Sequence, residues 1–491
     1  MNTPTSFWRR VSILAVISAG VLSGCDLAPV YVAPTVATPK VYKESSAWSQ
    51  ARPDDAAPRG NWWSVFRDPT LDSLETQLDA ASPTLRAAIA KYSQALAQAA
   101  EIRSALYPEI VAGGLGSYNR QSNNRPLRGG GQPDEYADNV VGLQASYEFD
   151  FWGRVRNVVA SARAEQQASA ADLATAKLSL QAQLADAYLA LRGLDAQASL
   201  LVETVAAYQR ALDLTRARHT GGVSSGLDEN RAKAQLSSAR AETSDVAARR
   251  AILEHFIASL VGQPASTFTL APGDPPPTIP ATPEGLPSTL VERRPDVAAA
   301  ERRAFAANRS IGVARAAFFP TLTLAPEGGF QNTGQANLLI APNTFWTLGS
   351  QAALTLFDGG QRRAALALSR AGFARAADDY RATVIAAFQD VEDQLALSSH
   401  LAAEATDQSD AVRASQATTI LSLIRYREGA TNYLDVVTAQ TVQLQAEQTS
   451  LDLKTRRQRT VVALIRALGG GWTTADLPGH VRTENGRGAS G

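Results

Sequence analysis

Cysteine occurs once in this chain of 491 residues, at Cys25, methionine once and histidine four times. One cysteine cannot close an internal disulfide, and His219, His255, His400 and His480 are too scattered for metal-ligand spacing. Structural zinc, iron–sulfur and disulfide scaffolds are therefore excluded, and no cofactor is expected. An excess of charge is missing too: Lys+Arg 47 stands against Asp+Glu 47, and without residues 1–24, which hold Arg9 and Arg10, the balance is 45 against 47. Nothing supplies the basic surplus that phosphate neutralisation needs, so nucleic acid is not an expected partner. No stretch reaches 18 continuous apolar residues, which excludes a helical membrane protein. Proline is absent from residues 134–263 and 343–477, gaps of 130 and 135 residues in which helix can run unbroken. What is present is 45% hydrophobic and 19% charged, a composition that builds a core.

The first 24 residues place Arg9 and Arg10 ahead of a 14-residue apolar stretch, Val11 to Gly24. That is too short to span about 30 Å of hydrocarbon comfortably and reads as a cleaved export signal. Its ending, Leu22-Ser23-Gly24-Cys25, resembles the bacterial lipoprotein signal, in which the cysteine becomes an acylated N-terminus. Cys25 is accordingly the expected lipidation site, several acyl chains on one residue giving stable anchoring, against the alternative of an ordinary buried cysteine. In some bacteria an aspartate directly after that cysteine favours inner-membrane retention, so Asp26 leaves the destination less firmly marked than the lipid. Pro29, Pro34 and Pro39 recur every five residues in what reads as an extended strap over 25–60.

The remainder is written twice. Pro83 and Pro108 are 25 apart, as are Pro295 and Pro320, and each pair brackets an alanine-rich helical stretch at an offset of 212. Further on, Arg218-x3-Gly222-x4-Leu227-Asp228 aligns with Arg425-x3-Gly429-x4-Leu434-Asp435, and Gly262 with Gly469, at an offset of 207. The first copy thus holds five extra residues, most simply in the loop around Gly129 to Gly131. The expected layout is repeat 1 over 61–263, with short helices, strands near 109–118 and 139–152, a long helix over 153–219 and a return helix over 227–261. A proline-rich linker follows over 264–283. Repeat 2 covers 284–470, with a helix over 296–319, strands near 321–330 and 345–357, a long helix over 360–427 and a return helix over 434–468. A tail over 471–491 closes the chain. Leu180, Leu184, Ala187, Leu191, Leu194, Ala198, Leu201, Val205, Tyr208 and Leu212 form a heptad seam; Val437, Leu444, Leu451 and Ile465 repeat it with Gln458 interrupting.

From Val141, apolar residues Leu143, Ala145, Tyr147, Phe149 and Phe151 alternate with polar or small ones, and Trp346, Leu348, Ala352, Leu354 and Leu356 do likewise. Ten-residue strands with one apolar face suit a tilted transmembrane β-barrel, or equally a soluble sheet with one buried face. In lipid, four strands cannot close a barrel and an open edge would strand backbone polar groups, so several chains would have to share one.

In the order and spacing of these elements the chain resembles the TolC-like outer-membrane factors, in particular the lipidated OprM- and NodT-like branch serving tripartite efflux pumps. The likeness rests on Cys25 with Ala28-Pro29-Val30-Tyr31 behind it, Trp62-Trp63-x2-Phe66-x-Asp68-Pro69-x-Leu71-x2-Leu74, Asp150-Phe-Trp-Gly-Arg154, Leu356-Phe-Asp-Gly-Gly360 and Gly429-x2-Asn432-Tyr-Leu-Asp435. The resemblance implies a mixed α+β membrane protein, a homotrimer with a 12-strand β-barrel continued by a 12-helix periplasmic α-barrel, and a belt of short helices. It implies a non-enzymatic, passive exit duct for drugs or other small toxic molecules. The duct would be lipid-anchored in the bacterial outer membrane and extend into the periplasm, with a periplasmic adaptor and an inner-membrane pump as partners.

By the same resemblance the two Arg-x3-Gly-x4-Leu-Asp turns form the periplasmic tip. Gly222, Gly429 and Arg218 are the expected adaptor-contacting residues. Asp435, Leu434, Tyr426, Arg425 and Asp228 are the expected gate, with Tyr426 and Arg425 holding the helix pair closed. Asp228 and Asp435 are read as ring carboxylates, as helix caps, or as both. Relatives often carry aspartate where this chain has Thr438, which puts an acidic gate at that position in doubt. Gly222-Val-Ser224-Ser-Gly226 fits the serine-hydrolase elbow pattern, but a helix precedes it where the elbow needs a strand. Two alternatives stand beside the efflux duct: a duct for secreted proteins, and a non-conducting periplasmic coiled-coil lipoprotein.

Overall fold

A computed structural model describes residues 26–37, 42–44, 61–124, 131, 133–276, 278–280, 293–334 and 337–478. Cys25, the export signal, most of the strap beyond residue 37, most of the loop around Gly129 to Gly131, the linker beyond residue 280 and the end of the tail lie outside them.

The helices come in pairs of equal length at the two offsets seen in the sequence. Pro83–Ser104 (α2) and Pro295–Ala316 (α5) have 22 residues each. Arg154–Thr220 (α3) and Gln361–Arg427 (α6) have 67. Gly226–Leu260 (α4) and Tyr433–Ala467 (α7) have 35. The extra residues of the first copy are therefore confined between Ser104 and Arg154, where the strands lie. One further helix, Pro69–Ala81 (α1), opens the first copy; Asp68 caps it by accepting from the N–H groups of Thr70 and Leu71, with Pro69 at the position that needs no donor.

The chain divides into two compact units. The first, comprising residues up to 34, 93–168 and 300–380, holds the sheet: Glu109–Arg120 (β1), Glu135–Glu148 (β2), Thr321–Leu324 (β3), Glu327–Asn332 (β4), Thr344–Thr347 (β5) and Ser350–Ala353 (β6). All pairings are antiparallel. β1 pairs β2 throughout, β4 and β3 share the other edge of β2, and β5 and β6 pair β4 and β3 respectively. This amounts to four strand paths, the last two broken. The third breaks at Ala325-Pro326, because proline has no N–H for the ladder, and the fourth at Leu348-Gly349. Three expectations shift accordingly. The second strand starts four residues earlier than 139 and ends at Glu148, ahead of the turn carrying Trp152; the fourth ends at Ala353, so Leu354 and Leu356 lie beyond it; and the helix begun at Pro295 ends at Ala316.

Register places Leu143 beside Gly328 and Gly328 beside Trp346, and Val141 between Gly114 and Phe330, on one face. Gln144, Glu327, Thr347 and Gln351 share the other. Neither face is covered: no residue of the six strands is buried, and Trp346 is 79% exposed.

The second unit, comprising residues 35–92, 169–299 and those from 381 onward, is helical. Its main core joins Trp62, Trp63 and Phe66 and the α1 face Leu71, Leu74 and Leu78 to Leu184, Tyr188 and Leu191 of α3. The α3 seam is largely buried as expected, with Leu194, Ala198 and Val205 half-covered. The α7 seam is not: Val437, Leu444, Leu451 and Ile465 are only half-buried, while Gln458 is fully buried and its Nε2 donates to the carbonyl of Pro276 at 2.8 Å. The residue that interrupts the apolar register thus fastens the inter-repeat linker, and an apolar side chain there would leave that carbonyl unpaired.

Candidate functional site: the two helix-turn tips

Both long helices end on a glycine in left-handed conformation, Gly222 and Gly429, each at φ 74°. In the first turn the N–H groups of Gly222 and Val223 return to the carbonyls of His219 and Arg218, and in the second those of Gly429 and Ala430 return to Tyr426 and Arg425. This is the chemistry of a helix C-terminus closed by glycine. The Gly222-to-Gly226 segment is accordingly a helix-to-helix turn, without the strand that a hydrolase elbow needs.

The return helices are capped by Ser225, which accepts from the Leu227 N–H at 3.1 Å, and by Asn432, which accepts from the Asp435 N–H at 3.3 Å. Asp228 and Asp435 therefore are not N-caps. Both lie in the first turn, where a negative charge still favours the positive end of the helix dipole. The Asp435 carboxylate is exposed and accepts from the Thr431 hydroxyl, while Asp228 is mostly covered and lies 3.7 Å from Arg231. Leu434 and Thr438 are exposed on the same first turns of α7.

Arg218, not Arg425, engages Tyr426. Its guanidinium lies 4.9 Å from the ring centroid and its Nη1 donates to the carbonyl of Arg427 at 3.2 Å, whereas Arg425 is exposed. Tyr426 and Tyr433 are buried with ring centroids 5.2 Å apart. Around them Tyr208, Leu212, Leu236 and Val436 close a core to which α3, α4, α6 and α7 all contribute. Burial pushes both phenols up, Asp228 adding to the effect and Arg218 opposing it at Tyr426. The structure thus brings Arg218, Tyr426, Tyr433 and Asp228 into one cluster and leaves Arg425, Leu434 and Asp435 on the surface.

The cluster is asymmetric between copies. At the 207 offset Tyr426 corresponds to His219 and Tyr433 to Gly226, so only the second copy supplies the rings. The caps, by contrast, correspond as Ser225 and Asn432, an alignment that could have identified them from sequence. Sequence reasoning also missed a buried charge network in the same unit. Arg192 and Asp195 pair at 2.9 Å, Arg250 reaches Asp195 at 2.6 Å and Glu254 at 3.0 Å, and Arg192 and Arg250 donate to the carbonyls of Ala271 and Leu270. Tyr188 accepts from Arg192 and donates to Asp68 at 2.6 Å, tying the cap of α1 to the same network. No helix among the described residues is long and apolar enough to cross a membrane.

A duplicated chain with an uncovered sheet and paired long helices ending in glycine turns is matched by the model of the outer membrane efflux protein family over residues 74–263 and 286–470. The chain belongs to that family and is an outer-membrane efflux component, not an enzyme. It is 30% identical over 463 residues to outer membrane protein OprJ of Pseudomonas aeruginosa, covering 94% of this chain and 96% of that one. It is 30% identical over 473 residues to the toluene efflux pump outer membrane protein TtgC of Pseudomonas putida, covering 93% and 94%. Its fold matches the solved outer-membrane channel OprN with a TM-score of 0.85 at 29% identity, covering 91% of this chain and all of that one.

Proposed function

We propose that three copies of this chain close one 12-strand barrel and form the passive exit duct of a tripartite efflux pump for drugs or other small toxic molecules. A periplasmic adaptor would dock at the Gly222 and Gly429 turns. The observation that carries this reading is the sheet: none of its residues is buried, one face is apolar, and β1 and the β5/β6 path have no further neighbour among the described residues. Such a sheet is stable only where lipid covers the apolar face and other chains satisfy the edges. A soluble one-faced sheet, the basis of the non-conducting alternative, would need a core against that face. Acylation of Cys25 adds an anchor to the barrel, and the pore narrows at the tip, with Leu434 and Asp435 repeated around the symmetry axis. Selection of cargo belongs to the pump, consistent with the toluene efflux of one relative. Chemical cross-linking and native mass measurement in detergent test the assembly: trimers are expected, and monomers alone would overturn it.

A further inference from the structure

The N-terminal segment does not simply trail along the first unit; it is seated. Asp26 Oδ1 accepts from Asn157 Nδ2 at 2.8 Å and from the Ala28 N–H at 3.0 Å, and Oδ2 pairs with Arg309 at 2.8 Å. Asn157 is buried in the first turn of α3 and is itself held by the Gly153 carbonyl at 2.7 Å. The Leu27 carbonyl accepts from Arg315 at 3.1 Å. Tyr31 donates to Glu301 Oε1 at 2.8 Å and sets its ring edge-on to Phe305, 5.1 Å between centroids, while Arg309 covers the same Phe305 ring at 4.7 Å. Burial alone would raise the Asp26 carboxyl, yet the bonds from Asn157, Ala28 and Arg309 hold it below its ordinary value. At Gly312 Ala28 comes so near that an added methyl would meet its Cβ at 2.8 Å and its backbone at 2.9 Å.

The duplication supplies an internal control. At the 212 offset Glu301, Phe305, Arg309 and Gly312 correspond to Ile89, Ser93, Ala97 and Ala100 of α2. Four of the features that grip the strap have been replaced in the first copy, the acceptor, the ring, the cation and the missing side chain, while Arg315 is retained as Arg103. The two helices share length and flanking prolines, so these four replacements remove the grip without altering the helical frame that carries it.

We propose that the Glu301-to-Arg315 face of α5 is a docking site for the protein's own N-terminal segment, with Asp26 as its latch. Asp26 is thereby held at one fixed place, beside the first turn of α3 and the last turns of α5. The charge of Asp26 serves this contact rather than membrane retention. The docking stands without the lipid; only the fate of an acyl group rests on the lipoprotein reading.

The test uses the full chain carrying Cys25→Ser, which removes the sole native thiol. With Ala28→Cys and Gly312→Cys added, oxidation is expected to give an intrachain disulfide in most of the protein, at monomer mass after denaturation. The pair Ala28→Cys and Ala100→Cys, at the matching place on α2, is expected to give less than a tenth of that yield. Adding Asp26→Ala, or separately Arg309→Gln, should lower the 28–312 yield at least threefold while trimers persist. Equal yields at 312 and 100, or a yield indifferent to both latch substitutions, would overturn the proposal. In protein retaining Cys25, Asp26→Asn should leave the partition between inner and outer membranes on a density gradient unchanged. A shift in that partition with an unchanged 28–312 yield would make Asp26 a sorting residue and overturn the latch. Palmitate labelling of Cys25-containing protein reads the lipid separately, since its absence removes the acyl group without touching the disulfide result.

Discussion

Arg218 of the first copy lies over the ring of Tyr426 in the second, 4.9 Å from its centroid, and closes the last turn of α6 through the Arg427 carbonyl. A helix C-terminus leaves carbonyls without intrahelical partners, and here a cation from the other repeat supplies one donor while meeting the favourable end of the dipole. Arg218 thereby adds a polar fastening to the apolar core that the two tips share, and loosening it is the least invasive way to weaken their contact.

Replacing Arg218 by alanine is expected to remove about 1–2 kcal/mol of local stability, from the lost cation–π contact and the lost charged hydrogen bond. Hydrogen exchange should quicken at the Tyr426-to-Tyr433 turn, and bilayer conductance should rise. Arg425→Ala, removing an exposed side chain, should change neither beyond experimental error.

Asp435 and Leu434 separate conduction from folding. Asp435→Asn should alter single-channel conductance or cation selectivity while trimers persist, because like charges repeated about one axis act on passing ions. Leu434→Ala should widen the resting pore. Asn432→Ala, which removes the cap itself, should instead cost about 1 kcal/mol of helix stability. Unchanged conductance and selectivity in Asp435→Asn would reduce that carboxylate to a partner of Thr431.

Glu75 lies fully buried on α1 with neither carboxyl oxygen hydrogen-bonded. Burial first, and the nearby Asp79 and Asp72 carboxylates against the opposing Lys177, push it up to about 9 from an ordinary 4.5. Below pH 4.5 folded and unfolded chains both carry the proton. As pH rises from there towards 9 the unfolded chain ionises and the folded one does not, so stability is progressively lost, by at most about 1.4 kcal/mol per pH unit. Glu75→Gln is expected to flatten that dependence, with a higher denaturation midpoint than the parent protein at pH 8 and convergence near pH 4.

The Arg192–Asp195–Arg250 network predicts a large penalty for breaking one member. Arg192→Met should destabilise the protein by about 3–5 kcal/mol, because the nearly inaccessible Asp195 would lose one of its two cations and the Ala271 carbonyl its donor. Urea unfolding followed by circular dichroism measures it. A loss below about 1 kcal/mol would mean that Arg250 suffices alone.

Much of the architecture was legible in the chain because its signals are local and one-dimensional. Proline spacing bounded the helices, since proline cannot sit inside them, and the offsets of 212 and 207 located both copies; the helices match in length residue for residue. Alternation from Val141 marked the apolar strand face because successive side chains point to opposite sides, and the observed register keeps Leu143 and Trp346 on one face. What the sequence left open was which groups meet across long separations. Alternation reads the same in a covered and an uncovered sheet; only the tertiary structure showed both faces bare. A sevenfold pattern cannot reveal that Gln458, the one polar member of its register, is the buried residue, because its value lies in a carbonyl 182 residues away. Arg218 and Arg425 occupy equivalent places in the repeats, so spacing could not choose between them as the partner of Tyr426. That choice depends on which guanidinium the packing of four helices directs inward, just as the packing of α5 against the strap decided that Asp26 meets Arg309.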